Sequence, residues 1–258
     1  MAAITTSEGK TGNNLIDALR PRERELLVSR LQTWSGAVGR TIQTPGSPVE
    51  WAYFPIGKAM ASYRITFSDG REVETALIGR EGAVGGIVSR GHLPAFALAV
   101  VLFGGTFARI SLSELEALKA KEPAIESLFN RYADCLLAQV FQASACNASH
   151  TLQQRAARWL VAACERTGSD ELTLTQEQLA GMLGVGRSYT TRVLGRFKAE
   201  GVVDMRRGHL TVLDHDSLAA MSCYCNDVIR SHFNTVLKGV YPETEPENGK
   251  AYGLTTAP

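Results

Sequence analysis

The chain of 258 residues is short of net charge, of regularly spaced cysteines and of unbroken apolar runs. Lys and Arg number 27 against 26 Asp and Glu, a net charge of +1. The molecule as a whole therefore exerts little pull on a polyanion, and any such attraction must be local. The five cysteines (Cys135, Cys146, Cys164, Cys223 and Cys225) are odd in number and irregular in spacing, which excludes a disulfide framework. Cys223-Tyr224-Cys225 is too tight and too isolated for a zinc site, so all five read as small buried hydrophobes. A redox role for Cys135 or Cys146 is the minor alternative. The most apolar stretch, 93–107, is broken by Pro94, Gly104 and Gly105 and suits a buried strand better than a membrane span. No charged-then-apolar leader opens the chain, and the expectation is a cytoplasmic protein without a membrane partner. Phosphate loops, nucleophile elbows and metal-ligand clusters are missing too. His150, His209, His215 and His232 are scattered, and Asp214-His215-Asp216 lies where a helix cap belongs. No catalytic residue, no metal and no cofactor is expected.

Against these shortages stands one dense signal. Thr175 and Gln178 fit a capping box at the start of a helix carrying Leu179 and Leu183 on one face. Gly184 suits a left-handed stop, and Gly186 is a tolerable N-cap for a second helix. In that helix Thr190, Val193, Leu194 and Phe197 point inward. Arg187, Ser188, Tyr189, Thr191 and Arg192 are left on the free side. Arginine can grip guanine bidentately, and hydroxyls can bond to several base edges. Arg196, Lys198, Arg206 and Arg207 follow as candidate phosphate contacts, with Glu200 and Asp204 the only acids between 186 and 207. Two β-rich runs, 202–205 and 210–213, flank an Arg-Gly turn and read as a hairpin, or wing.

Elsewhere the pattern is a flexible start (1–14), a helix or helix pair broken at Pro21, and glycine-punctuated strands up to about 110. A hairpin is expected from Ala59–Phe67 and Arg71–Ile78. Ser111-Leu112-Ser113-Glu114 opens a short helix, and Pro123 opens a long one. Ile125, Leu128, Phe129, Tyr132, Leu136, Val140 and Phe141 recur on it at three-four spacing. Such a seam suits a second copy of the chain, although packing on the chain's own strands is the alternative. Ser217–Leu237 reads as a final helix, with fraying expected from Tyr241 onward.

The stretch from Leu174-Thr175-Gln176-Glu177 through Leu183-Gly184-Val185, Arg187 and Arg192-Val193-Leu194 to Glu200-Gly201-Val202 and Gly208 resembles a known motif. It is the winged helix-turn-helix of the cyclic AMP receptor protein and FNR (Crp/Fnr) family of bacterial regulators. Gln154–Leu160 resembles the family helix entering that domain. More weakly, Arg40–Gly46, Tyr53-Phe54, Gly57, Asp69–Glu72 and Gly79–Gly85 resemble its β-roll. The resemblance implies an α+β chain: a cyclic-nucleotide-binding-like β-roll (15–112), a dimerisation helix (113–150), a winged helix-turn-helix (151–225) and a C-terminal helix end with a flexible tail (226–258). It implies a homodimer on an inverted-repeat operator in double-stranded DNA, with RNA polymerase a candidate further partner. The docking geometry is that of the cyclic AMP receptor protein, itself the standard example of the motif.

Two departures narrow this. Ser188 and Tyr189 stand where many members carry a base-reading Glu, so half-site sequences do not transfer. The Gly-Glu pair and the Arg that hold a cyclic nucleotide are absent from 84–97, and a phosphate without a cation gains nothing there. Cyclic AMP is therefore not expected. The first cysteine, Cys135, also lies far from the N-terminal cysteines of FNR-type iron–sulfur sensors. The alternative is a redox- or small-ligand-gated regulator with an effector in the β-roll, to which Arg90, His92 and the Gly104-Gly105 turn would contribute.

Overall fold

A computed structural model describes residues 9–87, 91 and 93–242. Two short helices open it, α1 (Asn14–Asp17) and α2 (Pro21–Val28), with Pro21 in the first turn where its missing N–H costs nothing. Seven strands follow: β1 (Gln32–Gly36), β2 (Thr41–Gln43), β3 (Trp51–Pro55), β4 (Met60–Thr66), β5 (Glu72–Ile78), β6 (Leu98–Phe103) and β7 (Gly105–Ser111). They form two antiparallel sheets, ordered β1-β7-β3 and β2-β6-β4-β5. The expected hairpin is β4–β5, paired from Ala61 opposite Ile78 to Thr66 opposite Glu72 with a register shift between Tyr63 and Arg64. Gly70 sits in its turn with φ 82°, a value glycine adopts without strain. This is the β-roll.

Ser111 caps α3 (Leu112–Lys121) by accepting from the backbone N–H of Glu114. The 27-residue α4 (Pro123–Ser149) then leads to α5 (Leu152–Thr167). Beyond lie β8 (Glu171–Leu172), α6 (Gln176–Leu183), α7 (Arg187–Ala199), β9 (Val203–Arg206), β10 (His209–Val212), α8 (His215–Met221) and α9 (Cys225–Val236). β8, β10 and β9 make a small antiparallel sheet, of which the two-residue β8 had no sequence signal.

Three expectations need correction. The final helix is two, interrupted at 222–224, and the break turns α9 back toward the N-terminal half. Tyr241, expected to fray, is 1% exposed and packs edge-on against Phe233. Its ring and the apolar face of α9 (Ile229, Phe233, Leu237) complete a core shared with α1, α3 and α4, which outweighs the polar composition around them. The remaining tail, 243–258, lies outside the described residues. The third concerns α4. Ile125, Phe129 and Tyr132, assigned to a partner-facing seam, are fully buried within their own chain, and Leu128, Leu136 and Val140 are half-buried against it. Periodicity identified an apolar stripe, but the stripe packs on the β-roll and α9.

The two halves meet at a buried ion pair. Arg166 of α5 donates from Nε to Glu81 Oε1 at 2.8 Å, and from Nη2 to Gln139 Oε1 of α4 at 3.2 Å. Gln139 in turn donates to the Leu77 carbonyl of β5. Both charges are at least 98% removed from solvent, so each depends on the other. The glycines around Glu81 have a packing reason: a Cβ on Gly79 would meet the Arg166 stem at 2.8 Å, and one on Gly82 would collide with the Tyr132 hydroxyl. Nearby, Trp159 Nε1 donates to Glu74 Oε1 at 2.7 Å. The other Glu74 oxygen is sealed without a partner, and burial pushes this carboxyl up to about 7, only partly offset by the Trp159 bond and nearby arginines.

Two outcomes follow from this contact. Glu81→Ala should lower unfolding free energy by about 3–5 kcal/mol in a denaturant titration, because it strands Arg166. A change below about 1 kcal/mol would show the pair to be dispensable. Glu74 binds its proton more tightly folded than unfolded. Its stabilising contribution is therefore complete below about pH 4.5 and lost as pH rises through about 7. Glu74→Gln should flatten that part of the stability–pH curve while keeping a side-chain oxygen to accept from the Trp159 N–H, as thermal unfolding from pH 4.5 to 8 would reveal.

Candidate nucleic-acid interface

The helix pair is built by local chemistry. Thr175 accepts from the Gln178 N–H at 3.1 Å, and the Gln178 side chain accepts from the Thr175 N–H at 2.8 Å. This reciprocal box fixes where α6 starts. Gly184 ends it with φ 67°, and the Val185 N–H returns to the Ala180 carbonyl. Gly186 then begins α7, anchored by buried Thr190, Leu194 and Phe197 with Val193 half-buried.

That anchoring leaves Arg187, Ser188, Tyr189, Thr191 and Arg192 all exposed on one ridge. The ridge is partly preset. Thr191 Oγ1 donates to Gln176 Oε1 at 2.7 Å, tying α7 to α6, and the Arg192 guanidinium lies 5.4 Å from the exposed Tyr189 ring. Arg187 and Arg192 have no carboxylate partner among the described residues.

The peripheral cations differ from one another. Arg196 pairs with Glu200 at 2.7 Å and also reaches Gln153. Lys198 (2.9 Å) and Arg206 (3.3 Å) converge on Asp204, whose carboxyl is held below its usual range chiefly by the Lys198 hydrogen bond. Arg207, at the β9–β10 turn beside Gly208 (φ 76°), is exposed without a carboxylate partner among the described residues. His209 pairs in register with Arg206. Sequence reasoning counted all these cations alike and missed Glu200, Gln153 and Asp204 as the groups that hold them. Strand alternation was a usable signal for one, since positions 204 and 206 share a face.

In the β-roll a cavity of about 230 Å³ is lined by Gln43, Tyr63, Gly85, Gly86, Leu93 and Leu112, among others. No charged side chain lines it among the described residues. Arg90 and His92, expected there, lie outside the described residues. Gly105 packs against Ala59, and neither it nor Gly104 lines the cavity among the described residues. All five cysteines are buried, and burial pushes the Cys135 and Cys164 thiols up to about 12, which makes them poor nucleophiles. The Cys223–Cys225 pair, expected to be isolated, meets Cys146 and His150. His215 bonds Asp170 at 2.7 Å, and Asp214 caps α8.

A β-roll, a long connecting helix and a winged helix pair with a cationic ridge define an architecture: a roll joined through helices to a helix-turn-helix domain. Residues 154–221 match the Crp-like helix-turn-helix domain. No curated protein matches the sequence. Solved structures match across both halves. FixK2 from Bradyrhizobium japonicum aligns over 75% of this chain and 98% of its own (TM-score 0.64, 16% identity). CLP from Xanthomonas campestris, described as a c-di-GMP responsive global regulator, aligns over 76% and 100% (0.62, 18%). TTHA1359, a Crp/Fnr-family regulator from Thermus thermophilus, aligns over 74% and 98% (0.61, 20%). The chain has the Crp/Fnr-type transcriptional-regulator fold with a Crp-like helix-turn-helix domain. No helix among the described residues is long and apolar enough to cross a membrane.

The capping box gives a direct check on how this site is assembled. Thr175→Ala should cost about 1 kcal/mol of stability in chemical denaturation. Hydrogen exchange should rise in the first turn of α6, with α7 following through the lost Thr191 tether. Unchanged exchange in α7 would mean the ridge is held by its buried side alone.

Proposed function

We propose that the protein is a sequence-specific DNA-binding transcription regulator acting as a homodimer on an inverted repeat. The single observation that carries this reading is the exposed ridge 187–192 on a helix whose other side is fully anchored. Arg187 and Arg192, with Ser188 and Thr191 between them, read base edges. Tyr189 supports Arg192 by stacking. Arg207 contacts the backbone from the wing, while Arg196, Lys198 and Arg206 act in phosphate binding only by exchanging an internal carboxylate for a phosphate. RNA polymerase is a further candidate partner.

One recognition helix touches few base pairs, so a twofold pair spaced about 34 Å apart is the natural reader. The α4 face that remains free runs through Asn130, Asp134, Leu137, Phe141, Ser144 and Ala148, at alternating four-three spacing. Leu137 is 50% and Phe141 65% exposed. We place the dimer seam there, displaced around the helix from the stripe that periodicity alone selects. The sequence 84–97 lacks the Gly-Glu pair and the Arg that hold a cyclic nucleotide in the family it resembles, which supports a regulator not controlled by cyclic AMP. The cavity itself favours a second reading, a small ligand of low charge as effector, which thermal shift against uncharged metabolites would test.

Selection of bound duplexes from a random pool at fixed salt, followed by anisotropy titration, tests the main reading. The expected motif is palindromic, and Arg192→Ala should cost about 1–3 kcal/mol and relax one position per half-site. Equal affinity for all duplexes would overturn it. Arg207→Ala should weaken every duplex alike. Asp204→Asn, by releasing Lys198 and Arg206, should tighten binding to any sequence and steepen the salt dependence by up to about two counterions per chain. Phe141→Asp should give a folded monomer in sedimentation that no longer binds the palindrome cooperatively. A folded dimer would move the seam elsewhere.

A further inference from the structure

Cys146 and His150 lie one turn apart at the end of α4, so they share a helix face. The break between α8 and α9 lays Cys223 and Cys225 against them. Tyr224 between that pair has φ −68° and ψ 1°, a turned backbone that lets both sulfurs reach the same point. Sγ of Cys146 is 3.6 Å from Sγ of Cys223, and Sγ of Cys225 is 3.5 Å from Nδ1 of His150. None of the four atoms is more than 4.8 Å from another. We propose that Cys146, His150, Cys223 and Cys225 form a mononuclear Zn²⁺ site that fastens the end of α4 to the α8–α9 junction.

The distances suit that ion. A tetrahedron with Zn–S about 2.3 Å and Zn–N about 2.0 Å separates ligand sulfurs by about 3.8 Å and sulfur from nitrogen by about 3.5 Å. The widest pair closes with a side-chain shift of about 1 Å. Three thiolates and an imidazole are a soft set that prefers zinc to magnesium or calcium. A cluster of several irons would hold its cysteines further apart, because metal and sulfide lie between them. The cysteines are buried and His150 is half-buried, and with four protein ligands the position is closed, as in structural sites. The surroundings are matched to it. Gln142 Nε2 donates to the Cys225 sulfur at 3.2 Å, and the His150 ring is set edge-on against Tyr224. Arg155 and Arg158 approach Cys146 and offset the net negative charge that three thiolates leave after binding a dication. A lone Cys146–Cys223 disulfide would leave the convergence of His150 and Cys225 unexplained. The site is independent of the DNA-facing ridge.

The test uses the full chain, purified with a thiol-free reductant. Elemental analysis should find about one Zn²⁺ per chain, and Co²⁺ in its place should show thiolate-to-metal charge transfer with tetrahedral ligand-field bands. His150→Ala and Cys223→Ser should each weaken Zn²⁺ at least about 100-fold against a chromophoric chelator, beyond what loss of a supporting group costs. Cys135→Ser should keep the metal. If a variant misfolds, the cobalt spectrum and chelator competition of the unmodified chain decide. The proposal is overturned if the unmodified chain holds no stoichiometric zinc and gives no cobalt charge transfer. It is equally overturned if zinc survives both ligand substitutions in folded protein, or if mass spectrometry finds a Cys146–Cys223 disulfide in a chain that takes up no metal.

Discussion

The arrangement of the two halves depends on the ion pair between Arg166 and Glu81. Neither group touches solvent, so each is tolerable only while the other is in place. The pair draws in three elements at once: α5 supplies the arginine, the turn after β5 supplies the carboxylate, and Gln139 of α4 accepts a further guanidinium proton. The orientation of α5 therefore follows from the β-roll rather than from a free hinge at 150–151. Since α5 carries the helix pair, the direction in which Arg187 and Arg192 point is set some distance away. Any effector acting near β5 would act on this joint, because it must either keep or break the pair.

Sequence was most informative where structure is local. The box of Thr175 and Gln178, the turn at Gly184 and the inward set of Thr190, Leu194 and Phe197 all form between residues a few positions apart, and their chemistry was readable directly. The β4–β5 hairpin, the helix break at Pro21 and the helix start at Pro123 were legible for the same reason. What could not be read was which surface meets which. The apolar stripe of α4 told of burial but not of its partner, and the partner of Ile125, Phe129 and Tyr132 proved to be this chain. Likewise Arg206 and Lys198 were visible as cations, but Lys198 shares the Asp204 carboxylate only because α7 packs beside β9.

The same logic applies to the cysteines. Two cysteines separated by one residue carry little information when their spatial neighbours are unknown. Their meaning comes from a helix end some eighty positions earlier, brought alongside by a break in what periodicity shows as one helix. The break falls at Ser222 to Tyr224, with no glycine or proline to mark it. Its cost in helix continuity is offset by the burial of Ile229, Phe233 and Tyr241 beyond it.

That burial also bears on how the molecule is made. The side-chain amide of Asn14 donates to the carbonyl of Val240, 226 positions away, and aromatic rings from beyond residue 230 close the core that α1 and α4 begin. A ribosome emits the β-roll long before those rings exist. The nascent N-terminal half must therefore wait with part of its apolar interior uncovered until residues 229–241 have emerged, a period in which chaperone contact is favoured over autonomous folding.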